Sequence, residues 1–128
     1  MRRISLKTAK RKREADDWRN SLRQRVGRCE CGCMLSTSPE LLDVDEIARG
    51  TGHRLKALDQ AYAVLVVRRL HHDRIQTWSR AKRLALLYIH RPSDFDLEKF
   101  YTLTKRRFPD WDAVDAEIRS LLEVRSRP

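Results

Sequence analysis

Four apolar side chains, Ala15, Trp18, Leu22 and Val26, recur at intervals of three and four, which places them on one face of an α-helix. Gly27 follows the last of them and predicts the helix end. A cysteine-rich loop comes next, and Ser36-Thr37-Ser38-Pro39 breaks regular structure. Leu41, Leu42, Val44 and Ile47 flank acidic residues in a segment that reads as a short strand. After a turn at Arg49-Gly50-Thr51-Gly52 and a short helix over residues 54–60, the largely β-branched run of residues 62–67 has the length of a second strand, able to pair with the first. Helical period returns with Trp78, Ala81, Leu84, Ala85 and Tyr88, and Pro92 closes that helix. Asp94 or Asp96 is placed to cap a helix carrying Leu97, Phe100, Tyr101 and Leu103. Beyond Pro109, the residues Trp111, Val114, Ile118, Leu121 and Leu122 mark a last helix. The aromatic residues of these C-terminal helices read as core, because their spacing already accounts for them.

This order predicts an α+β fold, mainly α-helical with a small β-hairpin and C-terminal helices. A chain of 128 residues supports one core, divided into a basic arm and helix (1–27), a hairpin-bearing centre (28–76) and helices packed on it (77–128). With 36% charged and 41% hydrophobic residues, that core must come from amphipathic elements. No internal repeat or low-complexity tract interrupts it. No stretch approaches the roughly 18 apolar residues of a membrane span, and the arginine-rich start lacks the apolar segment of a secretory signal. The expectation is a cytoplasmic protein.

Charge changes the picture through its placement. Of the 28 Lys and Arg residues, 11 fall in residues 1–28 against three acids, so most of the net +10 sits on the arm. Such a cluster gains affinity for a polyanion by releasing condensed counterions. Arg2, Arg3, Lys7, Lys10, Arg11, Lys12 and Arg13 are therefore expected to bind nucleic acid, with Arg49, Arg54, Arg68 and Arg69 supporting them around the hairpin. A solvated tail is the plainer alternative. An anionic membrane surface fits less well, since residues 1–14 offer few large apolar side chains to insert. Three cysteines, Cys29, Cys31 and Cys33, crowd five positions; an odd, tight set makes a poor disulfide framework and points to metal binding.

Cys29-Glu30-Cys31-Gly32-Cys33, Asp43-Val44-Asp45-Glu46-Ile47-Ala48-Arg49-Gly50 and Val66-Val67-Arg68-Arg69-Leu70-His71-His72 stand in a suggestive order. Over about residues 28–75 the chain resembles HNH endonucleases of phage and prophage type. Those show a CxxC knuckle, a strand ending in a pattern like Asp-His-Ile or His-Glu-Ile, a Gly-containing turn, then an apolar strand and Cys-x-x-Cys-His. The resemblance implies a ββα-metal fold in which one divalent cation is held against the scissile phosphate and a nearby base activates water. It places Asp45 and His71 as ligands of that cation, Mg, Mn, Ni or Zn, and Glu46 in the general-base position, with His53 as a possible substitute. Val67 and Leu70 match the second cysteine pair, so a structural zinc on Cys29, Cys31 and Cys33 needs a fourth ligand such as His72. Read without the resemblance, Asp43, Asp45 and Glu46 are the solvent side of an alternating strand, and His71 and His72 are polar residues at its end.

The functional expectation is a DNA-binding protein resembling HNH endonucleases, with metal-dependent hydrolysis of the phosphodiester backbone. Its first competitor is a catalytically inactive module of the same type, and its second a protein that binds another protein through the C-terminal helices. DNA is favoured over RNA by the resemblance, and the sequence shows no aromatic platform for single strands.

Overall fold

The structure, a computed structural model, describes residues 6–33, 35–47, 60–104 and 111–126. It is α+β and mostly helical. Helix α1 (Leu6–Val26) precedes strand β1 (Leu42–Glu46), strand β2 (Val64–Arg68), the short helix α2 (His72–Gln76), and helices α3 (Arg80–His90), α4 (Leu97–Thr104) and α5 (Trp111–Ser126). Among the described residues, no helix is long and apolar enough to cross a membrane.

The two strands pair antiparallel, with Val44 opposite Val66 and Asp45 opposite Leu65. Because side chains alternate along a strand, this register gives the ribbon two faces with different tasks. Leu42, Val64 and Val66 pack with Leu22, Trp18 and Val26 of α1 on one face. On the other, Leu65 and Val67 join Ile75, Leu84, Leu87, Phe100, Val114 and Ile118 in the main core. Four successive residues of β2, Val64 to Val67, are thereby fully buried, which a two-stranded ribbon achieves only with helices on both faces.

Gly27, at φ +63°, ends α1 in the left-handed conformation with its N–H on the Arg23 carbonyl, as the sequence predicted. Asp96 rather than Asp94 caps α4, its Oδ1 accepting from Lys99 N at 3.0 Å. Asp94 instead pairs with Arg25 and Arg91, each at 3.0 Å. α2 is an element that periodicity did not resolve: it spans 5 residues, little more than one turn. Two aromatic residues expected in the core lie nearer the surface, Tyr88 at 39% and Trp111 at 48% exposure, joined edge-on through Phe95. The predicted turn at Arg49 to Gly52, the short helix over 54–60, and residues Arg49, His53 and Arg54 lie outside the described residues.

Candidate metal centre and the carboxylate cluster beside it

The loop after α1 folds back on itself through Cys29 N to the Leu35 carbonyl and an isolated bridge between Arg28 and Ser36. Gly32, at φ +98°, occupies the turn between the second and third thiols in a backbone conformation that other residues rarely adopt. The loop docks along β2. Glu30 N donates to the Val66 carbonyl at 2.7 Å, and Val66 N donates back to Glu30 Oε1 at 2.8 Å. The other Glu30 oxygen accepts from Arg91 Nε at 2.7 Å, and Arg91 also reaches the carbonyls of Ala61 and Val64. A fully buried glutamate is tolerated here because each of its oxygens accepts from a donor, one of them a guanidinium. This contact fixes the cysteine loop to the sheet edge.

The turn after β2 brings His71 onto the same loop. Its Nδ1 lies 3.5 Å from Cys29 Sγ, 3.4 Å from Cys31 Sγ and 3.9 Å from Cys33 Sγ. All four donor atoms fall within 4.8 Å of one another. A tetrahedral zinc with sulfur at about 2.3 Å and nitrogen at about 2.0 Å would separate those two atoms by about 3.5 Å. Cys29, Cys31, Cys33 and His71 therefore lie close enough to bind a metal such as zinc. All three thiols are free of disulfides. Burial and the neighbouring Cys29 thiol push the Cys31 thiol up to about 12, so that without a metal this sulfur keeps its proton. Burial also raises Cys33, but hydrogen bonds from the Leu35 backbone and the neighbouring thiols outweigh it and hold that group below its usual value. Burial, then the charges of Arg74 and Arg68, hold His71 below the usual imidazole range, which favours the neutral form that ligates metals.

Here the structure corrects the sequence reading of the histidines. His71 does not converge with Asp45; it joins the thiols, and His72 joins the carboxylates. His71 ends a three-residue 3-10 turn (Arg69–His71) and His72 begins α2, and this change of backbone geometry between neighbours sends the two rings to different centres. His72 Nδ1 donates to Asp43 Oδ2 at 2.9 Å, and His72 Nε2 lies 3.3 Å from Asp45 Oδ1. Gln76 Nε2, one turn on, donates to His72 Nε2 at 3.1 Å. Asp43 and Gln76 together fit a ring that carries its proton at Nδ1 and accepts from Gln76 at Nε2, with Asp45 Oδ1 close to that nitrogen but not hydrogen-bonded to it. Asp45 is fully buried; Arg83 Nη1 of α3 donates to its Oδ2 at 3.3 Å, while Oδ1 has no hydrogen-bond partner. Asp43 and Asp45 are two positions apart, so alternation puts both on the α2 side of the ribbon.

The same alternation turns Glu46 away. Its carboxylate faces α1 and pairs with Arg19 at 3.2 Å, remote in direction from Asp45 and His72, so the expected base position is not realised there. The expected nucleic-acid contacts divide in three. Lys10, Lys12, Arg13 and Arg69 are exposed, and Arg68 is half-buried at the end of β2. Arg69 Nη2 donates to the Glu40 carbonyl at 2.9 Å, bracing the turn that carries the histidines. Lys7 and Arg11 belong to α1 with side chains outside the description, and Arg2 and Arg3 lie outside the described residues. Sequence reasoning overlooked Arg83 and Arg91, which spacing assigned to no role because helix periodicity marks apolar faces and not which cation will be buried.

Comparison with family models, with curated proteins and with solved structures gave no match.

Proposed function

We propose that this protein binds DNA and hydrolyses its phosphodiester backbone with a divalent cation held by Asp45 and His72, on a zinc-pinned scaffold of the HNH endonuclease type. The observation that carries the reading is the approach of Asp45 Oδ1, buried and without a hydrogen-bond partner, to within 3.3 Å of His72 Nε2. Two donors each about 2.1 Å from one cation stand about 3.0 Å apart at a right angle and about 3.4 Å apart at the tetrahedral angle. Asp43, on the far nitrogen of the same ring, has the place of the carboxylate that orients a metal-binding histidine. The cation would polarise the scissile phosphate; Asp45 and His72 would hold it, and Asp43 would keep the ring in its ligating tautomer. The resemblance also improves by one register step: with His71 in place of the second cysteine and His72 in place of the histidine of Cys-x-x-Cys-His, the first cysteine falls on Arg68, and the knuckle's third thiol compensates.

Arg83 favours a second reading, a DNA-binding module without cleavage. Its guanidinium already neutralises Asp45, and Glu46 is turned away from the pair. One experiment separates the two. Zinc-loaded protein is incubated with supercoiled plasmid and Mg, Mn or Ni, beside Asp45→Ala and His72→Ala. Nicking by the parent, lost by about a hundredfold in both variants, supports the catalytic reading; salt-sensitive binding with no nicking supports the second. A parent that neither binds nor nicks overturns both.

A further inference from the structure

Residues 74–83 carry Arg74, Arg80, Lys82 and Arg83 and no acid. They form the corner between α2 and α3, where a cleft of about 400 Å³ is lined by Gln76, Trp78, Ser79, Arg80 and Arg83. Ser79 caps α3, its Oγ accepting from Lys82 N at 3.1 Å, so the positive end of an 11-residue helix opens beside the cleft. Lys82 Nζ stands 3.8 Å over the Trp78 ring and Arg74 at 5.8 Å from its centroid, so the indole holds two further cations at this corner. Arg83 is more than nine-tenths buried, and its Nε has no hydrogen-bond partner. Arg83 lines the cleft with its Nη1 on Asp45, and its Nε–H remains a buried donor with capacity for one more acceptor. Gln76 and Arg83 each touch the carboxylate cluster as well, Gln76 through His72 and Arg83 through Asp45.

We propose that this corner is a binding site for a backbone phosphate of nucleic acid next to the Asp45–His72 pair, held by Arg80 of the cleft wall, whose Nε also donates to the Ile47 carbonyl at 3.3 Å, and by Lys82, which stands over the Trp78 that lines the cleft. The inference rests on the nucleic-acid reading and adds a location to it: the strand is seated by the α2–α3 corner, in addition to any non-specific attraction by the arm of α1. A phosphate here would lie one side chain away from the cation site, so the cleft would set the register of the strand against the reacting bond.

The test is fluorescence anisotropy of a labelled mixed-sequence DNA duplex with the full zinc-loaded chain, measured across a salt series. The double variant Arg80→Gln/Lys82→Gln is compared with the parent and with Arg119→Gln, which removes an exposed charge from α5. Loss of two phosphate contacts should weaken binding about tenfold at moderate salt and reduce the slope of log affinity against log salt by about 2, with Arg119→Gln within about twofold of the parent. A double variant that binds with the parent's affinity and slope, while the parent binds DNA, overturns the cleft and leaves the nucleic-acid reading standing. No binding by the parent removes both. Inorganic phosphate serves as the competing source: weakening equal to that from chloride of the same ionic strength supports a site shaped for the polymer, whereas complete displacement at millimolar phosphate identifies a free-phosphate site and overturns the proposal.

Discussion

The thiol centre and the carboxylate centre each take one histidine from the same turn, yet they are built in opposite ways. The thiol centre gathers four donors, three of them from one loop of five residues, around a single point. The carboxylate centre brings two acids to opposite nitrogens of one ring, so its members cannot all meet one ion, and it leaves a buried oxygen without a hydrogen-bond partner. The first geometry is closed and suits a structural metal; the second is incomplete and suits an exchangeable ligand. Consecutive residues of one type thus acquire different chemistry from the backbone between them.

The largest expected effects break this contrast at the thiol side. His71→Ala or Cys31→Ala should reduce zinc from about one ion per chain to near none by elemental analysis and lower the melting temperature sharply, because metal binding in such loops is coupled to folding. His72→Ala should retain the zinc. Equal zinc loss in both histidine variants would dissolve the distinction between the centres. On acidification the parent should release zinc, read by elemental analysis across a pH series, since protons compete with the metal for the thiolates and for His71. In the metal-free protein the depressed value of His71 makes folding stability fall as pH drops below 6.5, where the unfolded imidazole takes up a proton that the folded one resists.

Next in size is the contact that attaches the cysteine loop to the sheet. Glu30→Ala should remove the nearer of the two counter-charges of nearly buried Arg91, leaving Asp94 alone, and cost about 2–4 kcal/mol in a denaturation midpoint experiment on zinc-loaded protein. A comparable change to the packing of α1, Leu22→Ala, should cost about 2–4 kcal/mol while preserving zinc content. The smallest effect is expected within the turn itself. Leu70, between Arg69 and His71, is 85% exposed, so Leu70→Ala should shift stability by no more than about 0.5 kcal/mol. A larger loss would mean that its side chain helps separate the two histidines.

Much of the scaffold was legible along the chain. The face of Trp18, Leu22 and Val26, the glycine stop at Gly27, the β-branched run and the helices after Ser79 follow from local period and capping, which the chain carries within a few residues. The thiol cluster was legible for the same reason, as it sits within one loop. The fourth ligand was not, because a choice between His71 and His72 turns on a single step of 3-10 geometry that no spacing rule resolves. Glu46 was misplaced as a base for a related reason: at a strand position, one residue decides between two faces, and only the register against β2 says which face meets α2.

The sequence by itself determined the two strands and the helices other than α2, where the charge concentrates and that three thiols would share one loop, since each of these depends on neighbours in the chain. Tertiary structure alone decided the partners across 27 to 61 positions: Arg19 with Glu46, His72 with Asp43, Arg83 with Asp45 and Arg91 with Glu30. Buried charge must find a counter-charge wherever packing brings one, and the place where α3 crosses the ribbon is set by the fit of whole apolar faces, a property of the assembled core and of no single segment.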